Sequence, residues 1–169
     1  MLSQFADAIK LIHQYNREFY FVFTGSSSES NFVQSLMNQL NGISTYNEAG
    51  KMSLSQLATE LAKSSMLITV DSMPLHMAHY LNVPVVALWG PTQPKHFGYD
   101  QKENIHSVTL NLSCSPCFIH PASEVAKHCS GRIDCMNGLQ PSAIAKKCTD
   151  ILSILSSQRF VNFPEGIKD

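Results

Sequence analysis

Two short apolar runs, at residues 67–70 and 83–89, dominate the hydrophobic pattern in the middle of the chain. Both are rich in β-branched residues and of strand length, and both end in turn residues, so the pattern predicts two buried strands. Between them, Asp71 or Ser72 can cap a helix, and Pro74 suits its first turn because the N–H that proline lacks would be unpaired there. The stretch therefore predicts a strand, a tight turn, a helix and a second strand.

The same alternation of strand-like and helix-like patterns extends over most of the chain. Helices are predicted at 5–13, 31–40, 54–61 and 140–155, and further strands at 19–23, 43–46 and 105–110. The helix at 54–61 begins after a Ser53 cap and carries Leu54, Leu57, Ala58 and Leu61 on one face. Residues 95–104 form a polar loop, and 111–138 are irregular. The predicted fold class is α/β, a doubly wound parallel sheet with helices on both faces.

Composition restricts the function classes. The 169 residues are 44% hydrophobic and 15% charged, which favours one domain, with residues 1–159 as the folded part and 160–169 as a tail. A net charge of −1 without a basic run gives no reason to expect a nucleic acid partner. No stretch approaches the roughly 20 apolar residues of a membrane span, and no signal peptide pattern opens the sequence. We expect a cytoplasmic protein without a transmembrane segment.

Three turns, at 24–29, 71–76 and 90–92, follow predicted strands and should meet along one sheet edge, where anionic ligands bind. The first offers hydroxyl groups and Glu29, which can accept from ribose hydroxyls. The second offers helix N–H groups and His76, and the third offers a glycine where backbone approaches a ligand. Together they suit a nucleotide diphosphate, although none is a Walker loop or a G-x-G-x-x-G fingerprint.

Each of these features also has a purely structural interpretation. Glu29 is equally explained as an acid in the first turn of a helix, where it favours the helix dipole. Asp71 and Ser72 are equally explained as a helix cap without any ligand. A single histidine among seven is more often a surface or core residue than a site residue, and only its position raises the case for His76.

The stretch 70–94, VDSMPLHMAHYLNVPVVALWGPTQP, resembles the signature of glycosyltransferase family 9, the bacterial heptosyltransferases of lipopolysaccharide synthesis. In that signature D-[ST]-G-x-x-H-x-A precedes an apolar strand and G-P-T-x-P. The similarity extends back to Gly25 and forward through residues 114–117 and 135–136, so it covers most of the chain. It implies the C-terminal, donor-binding half of a GT-B fold, a Rossmann-like domain that here lacks its first strand.

The resemblance also implies roles for individual residues. Ser72, Met73 and His76 would surround the donor diphosphate, with Met73 in place of the usual glycine. Asp71 would lie near the transferred sugar, and Glu29 would hold the ribose. The implied donor-binding residues are Gly25, Glu29, Met52 (against adenine), Asp71, Ser72, Met73, His76, Gly90, Pro91 and Thr92.

The implied reaction transfers a heptose-like sugar from a nucleotide diphosphate donor, ADP-heptose, to a lipopolysaccharide-core acceptor, with inversion and without a metal or other cofactor. The family's donor-binding lysine and general base are not in this chain, so we expect no catalytic residue here and no activity of the chain alone. The lipid-linked or oligosaccharide acceptor would bind through the missing domain, at the periphery of the inner membrane. Pairing of copies through an exposed sheet edge is a further hypothesis.

Two alternatives stay open at this stage. The first is a non-catalytic nucleotide-binding or interaction module left by truncation, and the second is part of a GT-B transferase that uses a UDP- or GDP-sugar. Four cysteines, Cys114, Cys117, Cys129 and Cys135, cluster in the irregular segment. Structural thiols, reduced or partly disulfide-linked, are the favoured interpretation. A Cys₄ or Cys₃His zinc site is the less favoured alternative, because the second pair of cysteines lacks the short spacing that is usual in zinc sites.

Overall fold

The computed structural model describes residues 2–117 and 133–161. Its helices are α1 (Leu2–Tyr15), α2 (Ser30–Met37), α3 (Leu54–Lys63), α4 (Met73–Tyr80), α5 (Asp134–Asn137) and α6 (Pro141–Val161). Its strands are β1 (Phe21–Phe23), β2 (Thr45–Asn47), β3 (Leu67–Val70), β4 (Val85–Leu88) and β5 (Ile105–Val108). Short 3₁₀ turns lie at Ser27–Glu29 and Pro94–Phe97. Within the described residues, no helix combines the length and apolar character that crossing a membrane requires.

Every strand pair in the described residues is parallel. The strands form a two-stranded sheet, β2-β1, and a three-stranded sheet, β3-β4-β5. A doubly wound sheet has the order 3-2-1-4-5-6, and without its first strand it becomes 3-2 and 4-5-6. The observed order is the same, so the expected α/β, Rossmann-like architecture is confirmed and the sheet is divided at the first-strand position.

Strand β4 lies at the centre of the core, and all four of its residues are buried. Because side chains alternate along a strand, Val86 and Leu88 join one cluster with α1 and α6, while Val85 and Ala87 join another. The second cluster packs under α3 and α4. Helices therefore cover both faces of the larger sheet. Because β3 and β4 are parallel neighbours, their carboxyl ends lie at the same edge.

Several predicted details are wrong. Strand β1 is half-exposed rather than buried, with Val22 39% exposed, and β3 is half-buried along its whole length. Leu54 is 64% exposed and does not share the buried face of α3. Strand β2 begins two residues later than predicted and ends one residue later, at 45–47 instead of 43–46, because Tyr46 and its two neighbours pair with β1. Helix α6 runs to Val161, which is two residues into the predicted tail.

The capping prediction for α3 is confirmed. Ser53 is its N-cap, and the side-chain oxygen accepts a hydrogen bond from the Gln56 N–H at 3.3 Å. The Gln56 side chain in turn accepts from the Ser53 N–H at 2.8 Å. This reciprocal pair fixes where α3 begins, and Leu57 and Leu61 then anchor the helix in the core.

Candidate donor-binding site

The turn after β3 leads directly into α4, and its side chains do not cap that helix. Ser72 is the N-cap residue with an extended backbone, φ −161°, but makes no side-chain cap bond. Its hydroxyl instead donates to the Val70 carbonyl at 3.2 Å and lies 3.2 Å from the Thr69 hydroxyl. The interpretation of Ser72 as a simple cap is therefore not supported. Pro74 has no N–H and the Leu75 N–H donates to the Ser72 carbonyl at 3.0 Å, so this helix end offers an anion the Met73 N–H and the positive end of the dipole.

Asp71 and His76 lie beside this helix start. The His76 Nε2 atom is 3.8 Å from Asp71 Oδ1, and the side chains are 44% and 18% exposed. The other ring nitrogen, Nδ1, is 2.7 Å from the Tyr99 hydroxyl. The turn thus brings a carboxylate, an imidazole and a phenol together next to an uncapped helix N-terminus.

Tyr99 is a member of this group that the sequence interpretation missed. It is 9% exposed, belongs to the core cluster under α4, and its ring contacts those of His76, His79 and Phe97. Burial raises its pKa above the ordinary value of 10.0, and the Asp71 charge raises it further. The sequence signal for this role was the pair Phe97 and Tyr99 in a loop predicted to be polar, because exposed loops seldom contain such aromatic rings.

The first turn is held by Glu29 itself. One carboxylate oxygen, Oε2, accepts from both the N–H and the hydroxyl of Ser26, at 2.7 Å each. These two bonds lower the pKa of Glu29 from its ordinary 4.5, against a smaller opposing effect of burial. A Cβ at Gly25 would lie 3.0 Å from the same oxygen, so the glycine lets the carboxylate approach. The helix-start interpretation of Glu29 is thus structurally supported, and the ribose role stays a prediction.

Glu29 is expected to stabilise the fold in a pH-dependent way. Because its folded pKa is lowered, the stabilisation is complete above the ordinary pKa of 4.5 and is lost as pH falls through the folded value. Urea unfolding should show Glu29→Gln to be less stable than the parent at about pH 7, and the difference should shrink as the pH falls below 4.5. The exposed Glu18, changed to Gln, is the matched control. A difference for Glu29→Gln that persists unchanged at low pH contradicts the assignment.

The loop between β2 and α3 connects the first turn to the second. The Gly50 N–H donates to the Gly25 carbonyl at 2.8 Å, and a Cβ at Gly50 would lie 2.6 Å from the Ser27 Cα. Two residues later Met52 packs, half-buried, on the cluster that contains Leu75 of α4. Met52 also borders an open hollow of about 450 Å³, lined by Tyr20, Val22, Tyr46, Glu48, Met52 and Glu60.

The turn after β4 is explained by packing. Gly90 is buried, and a Cβ there would collide with the Met136 side chain, at 2.7 Å from its Cγ. Contact with α5 is thus a structural reason for a glycine at this position, and its approach to a ligand stays a prediction. Pro91 accepts from the Cys117 N–H at 2.9 Å, and the Gly90 carbonyl accepts from the Ser115 hydroxyl. Thr92 is half-exposed at the rim.

The cysteine segment is described only in part. Cys114 is exposed and Cys117 and Cys135 are half-buried, whereas Cys129 lies outside the described residues. Over residues 2–117 and 133–161, no group of three or more His, Cys, Asp or Glu side chains is arranged to hold a metal ion. The choice between structural thiols and zinc stays a prediction. The fifth cysteine, Cys148, is buried in the core, and burial raises its pKa to about 12.

The model of glycosyltransferase family 9 (heptosyltransferase) matches residues 2–128 of the chain, and this match decides the family. The chain belongs to glycosyltransferase family 9. Members of this family are glycosyltransferases, and the motif residues Asp71, Ser72 and His76 lie within the matched region.

Individual relatives agree with the family assignment. The chain is 28% identical over 122 residues to lipooligosaccharide heptosyltransferase 2 of Campylobacter jejuni, covering 72% of this chain and 36% of that protein. It is 27% identical over 126 residues to the lipopolysaccharide core heptosyltransferase OpsX of Haemophilus influenzae, covering 74% and 36%. The chain thus spans about a third of these relatives' length.

Solved structures share the fold. The E. coli ADP-heptose lps heptosyltransferase II superimposes with a TM-score of 0.66 at 21% identity, covering 90% of this chain and 42% of that one. The family 9 glycosyl transferase from Veillonella parvula gives a TM-score of 0.72 at 23% identity, covering 90% and 41%. In both comparisons the matched region is less than half of the solved chain, as expected of one half of a GT-B fold.

Proposed function

We propose that this chain is the donor-binding part of a lipopolysaccharide heptosyltransferase and that it binds a nucleotide diphosphate sugar of the ADP-heptose type. The observation that carries the proposal is the uncapped start of α4 at the end of β3, with Asp71 and His76 beside it. A diphosphate is the anion that such a helix end suits, because the Met73 N–H and the helix dipole act on it together. The ADP-heptose name of the E. coli neighbour supports adenine as the base.

In this proposal each part of the site binds a different part of the donor. The diphosphate lies at the start of α4 near Ser72, Met73 and His76, and Asp71 faces the transferred sugar. The base lies against Met52, where the adjoining hollow of about 450 Å³ has an aromatic wall formed by Tyr20 and Tyr46. Oε1 of Glu29 is the oxygen that accepts from the ribose, since Oε2 already accepts two bonds from Ser26. Gly25, Gly90, Pro91 and Thr92 shape the rim.

The donor-binding part contributes to the reaction by stabilising the leaving group. As the sugar moves to the acceptor hydroxyl, negative charge develops on the departing diphosphate, and preorganised N–H donors stabilise that charge. The base that deprotonates the acceptor belongs to the other half of the enzyme. The acceptor, a lipopolysaccharide-core sugar, binds there as well. We therefore propose that the chain binds the donor but does not transfer sugar alone.

Calorimetric titration of the purified 169-residue chain with ADP, UDP, GDP and AMP tests the proposal. We expect ADP to bind more tightly than UDP or GDP, and AMP to bind at least about tenfold more weakly than ADP because it lacks the second phosphate. Tighter binding of UDP or GDP would instead favour a different donor base. Failure of all four to bind would overturn the site assignment. Sugar transfer by the chain alone would overturn the proposal that it does not transfer sugar by itself.

A further inference from the structure

Tyr99 stands outside the set of residues that the family signature contributes, yet it makes a short polar contact at the centre of the site. Its hydroxyl is 2.7 Å from His76 Nδ1. The residue is 9% exposed, and its backbone N–H donates to the Pro94 carbonyl at 3.0 Å, which fixes the loop that carries it. The hydroxyl is therefore held at one place beneath the first turns of α4.

The surroundings of His76 decide which atom donates in this contact. If Nδ1 carried the ring proton of the neutral imidazole, Nε2 would direct a lone pair at Asp71 Oδ1, only 3.8 Å away. If the Tyr99 hydroxyl donates to Nδ1, the ring proton lies on Nε2 and faces the carboxylate favourably. The second arrangement avoids that repulsion and still forms the bond between Tyr99 and Nδ1. The raised pKa of Tyr99 keeps the phenol protonated, and hence a donor, at neutral pH.

The Nε2–H group is then available to a ligand. A separation of 3.8 Å from Asp71 Oδ1 is too long for a hydrogen bond of ordinary length, so this donor is not committed to the carboxylate. His76 is the fourth residue of α4, one turn from the uncapped N-terminus. An anion at that N-terminus lies within reach of the imidazole.

We propose that Tyr99 is a positioning residue of the donor site: its hydroxyl fixes the tautomer and ring orientation of His76 so that Nε2–H is directed at the donor diphosphate. The claim that Nε2–H is directed at the diphosphate rests on the proposed function. The claim that Tyr99 fixes the tautomer of His76 concerns the ligand-free protein and rests on the geometry of Tyr99, His76 and Asp71 alone.

A neighbouring histidine supplies an internal reference. His79 Nδ1 is 2.9 Å from Asn104 Oδ1, and the Asn104 amide group is oriented by its donation to the His79 and Val83 carbonyls at 3.3 and 3.2 Å. His79 must therefore donate from Nδ1, which is the opposite tautomer. The two histidines should be distinguishable in one spectrum.

The test compares Tyr99→Phe with Tyr80→Phe. The first removes the hydroxyl but keeps the ring contacts, and the second makes the same change at a residue of α4 that is 91% exposed. Two-bond ¹H–¹⁵N correlation spectra of the ligand-free full chain report the tautomers, with the His76 signals identified by their loss in His76→Asn. We expect an Nε2–H signature for His76 in the parent and in Tyr80→Phe, and a mixture of tautomers in Tyr99→Phe, while His79 keeps Nδ1–H throughout.

Calorimetry with ADP gives the second readout. We expect about fivefold weaker binding for Tyr99→Phe and no change for Tyr80→Phe. An unchanged His76 tautomer in Tyr99→Phe overturns the positioning role, whatever the ligand result. A tautomer change with unchanged ADP affinity overturns the link to the diphosphate. If the parent chain binds no nucleotide, the proposed function fails while the tautomer comparison still decides the role of Tyr99.

Discussion

Gly50→Ala is expected to lower the free energy of unfolding by about 3 kcal/mol or more. Two effects add at this position. The backbone has φ +77°, a left-handed conformation that costs an L side chain about 1 kcal/mol. In addition, the new Cβ would lie 2.6 Å from the Ser27 Cα and 3.0 Å from its backbone nitrogen. Because both atoms belong to backbone, no side-chain rotation relieves the collision and one of the two loops must move.

Gly42→Ala separates these two effects. Gly42 has nearly the same conformation, φ +79°, but beyond its chain neighbours nothing lies within 4 Å of the place that a Cβ would take. Its substitution should therefore cost only the conformational term, about 1 kcal/mol. Urea denaturation of the two variants measures the difference directly. Equal losses for both would mean that the contact between the Gly50 loop and Ser27 is not tight.

The substitution should also weaken the ligand site. Gly50 donates to the Gly25 carbonyl, and the loop that it anchors carries Met52. Displacing this loop moves the proposed base-binding residue away from the turn that holds Glu29. We expect weaker ADP binding by Gly50→Ala at a temperature where both variants are folded, and parent-like binding by Gly42→Ala.

The sequence predicted well those features that local chemistry determines. Strands β3 and β4 follow from their β-branched runs, and α3 begins at Ser53 because a hydroxyl and a glutamine three residues on form a capping box. The start of α4 follows from Pro74, which suits only the first turn of a helix. Because the motif residues between 71 and 76 lie within one local unit, their juxtaposition was predictable without tertiary information.

Features that depend on distant partners were not predictable in this way. The local pattern at Gly90 predicts a close approach to a ligand, and nothing local indicates that Met136, 46 positions later, packs where a Cβ would lie. Tyr99 lies in a segment whose composition indicates a polar loop, and only the fold shows that its hydroxyl reaches His76. The exposure of Val22 follows from the divided sheet, which no periodicity in β1 encodes. In each case the observed environment depends on residues or strands that are distant in the sequence.

Met73→Glu is expected to have the largest effect on ligand binding. Met73 is the first residue of α4, is 46% exposed, and stands where the family signature has glycine. A carboxylate there would occupy the helix N-terminus in competition with the donor diphosphate and repel it. At the intermediate dielectric of a protein surface the repulsion amounts to about 3 kcal/mol, or roughly 100-fold in affinity. We expect ADP binding to become undetectable or at least roughly 100-fold weaker in calorimetry.

The same substitution should stabilise the folded protein, which distinguishes a site effect from damage to the fold. An acid in the first turn of a helix interacts favourably with the dipole, by about 0.3–1 kcal/mol. Ile154→Glu, at a residue of α6 that is 56% exposed, makes the same change in net charge away from α4 and should leave ADP binding unchanged. Loss of binding together with a gain in unfolding free energy is the result expected if the anion and the new carboxylate compete for one helix end. Retained ADP binding by Met73→Glu would mean that the diphosphate does not lie at the start of α4.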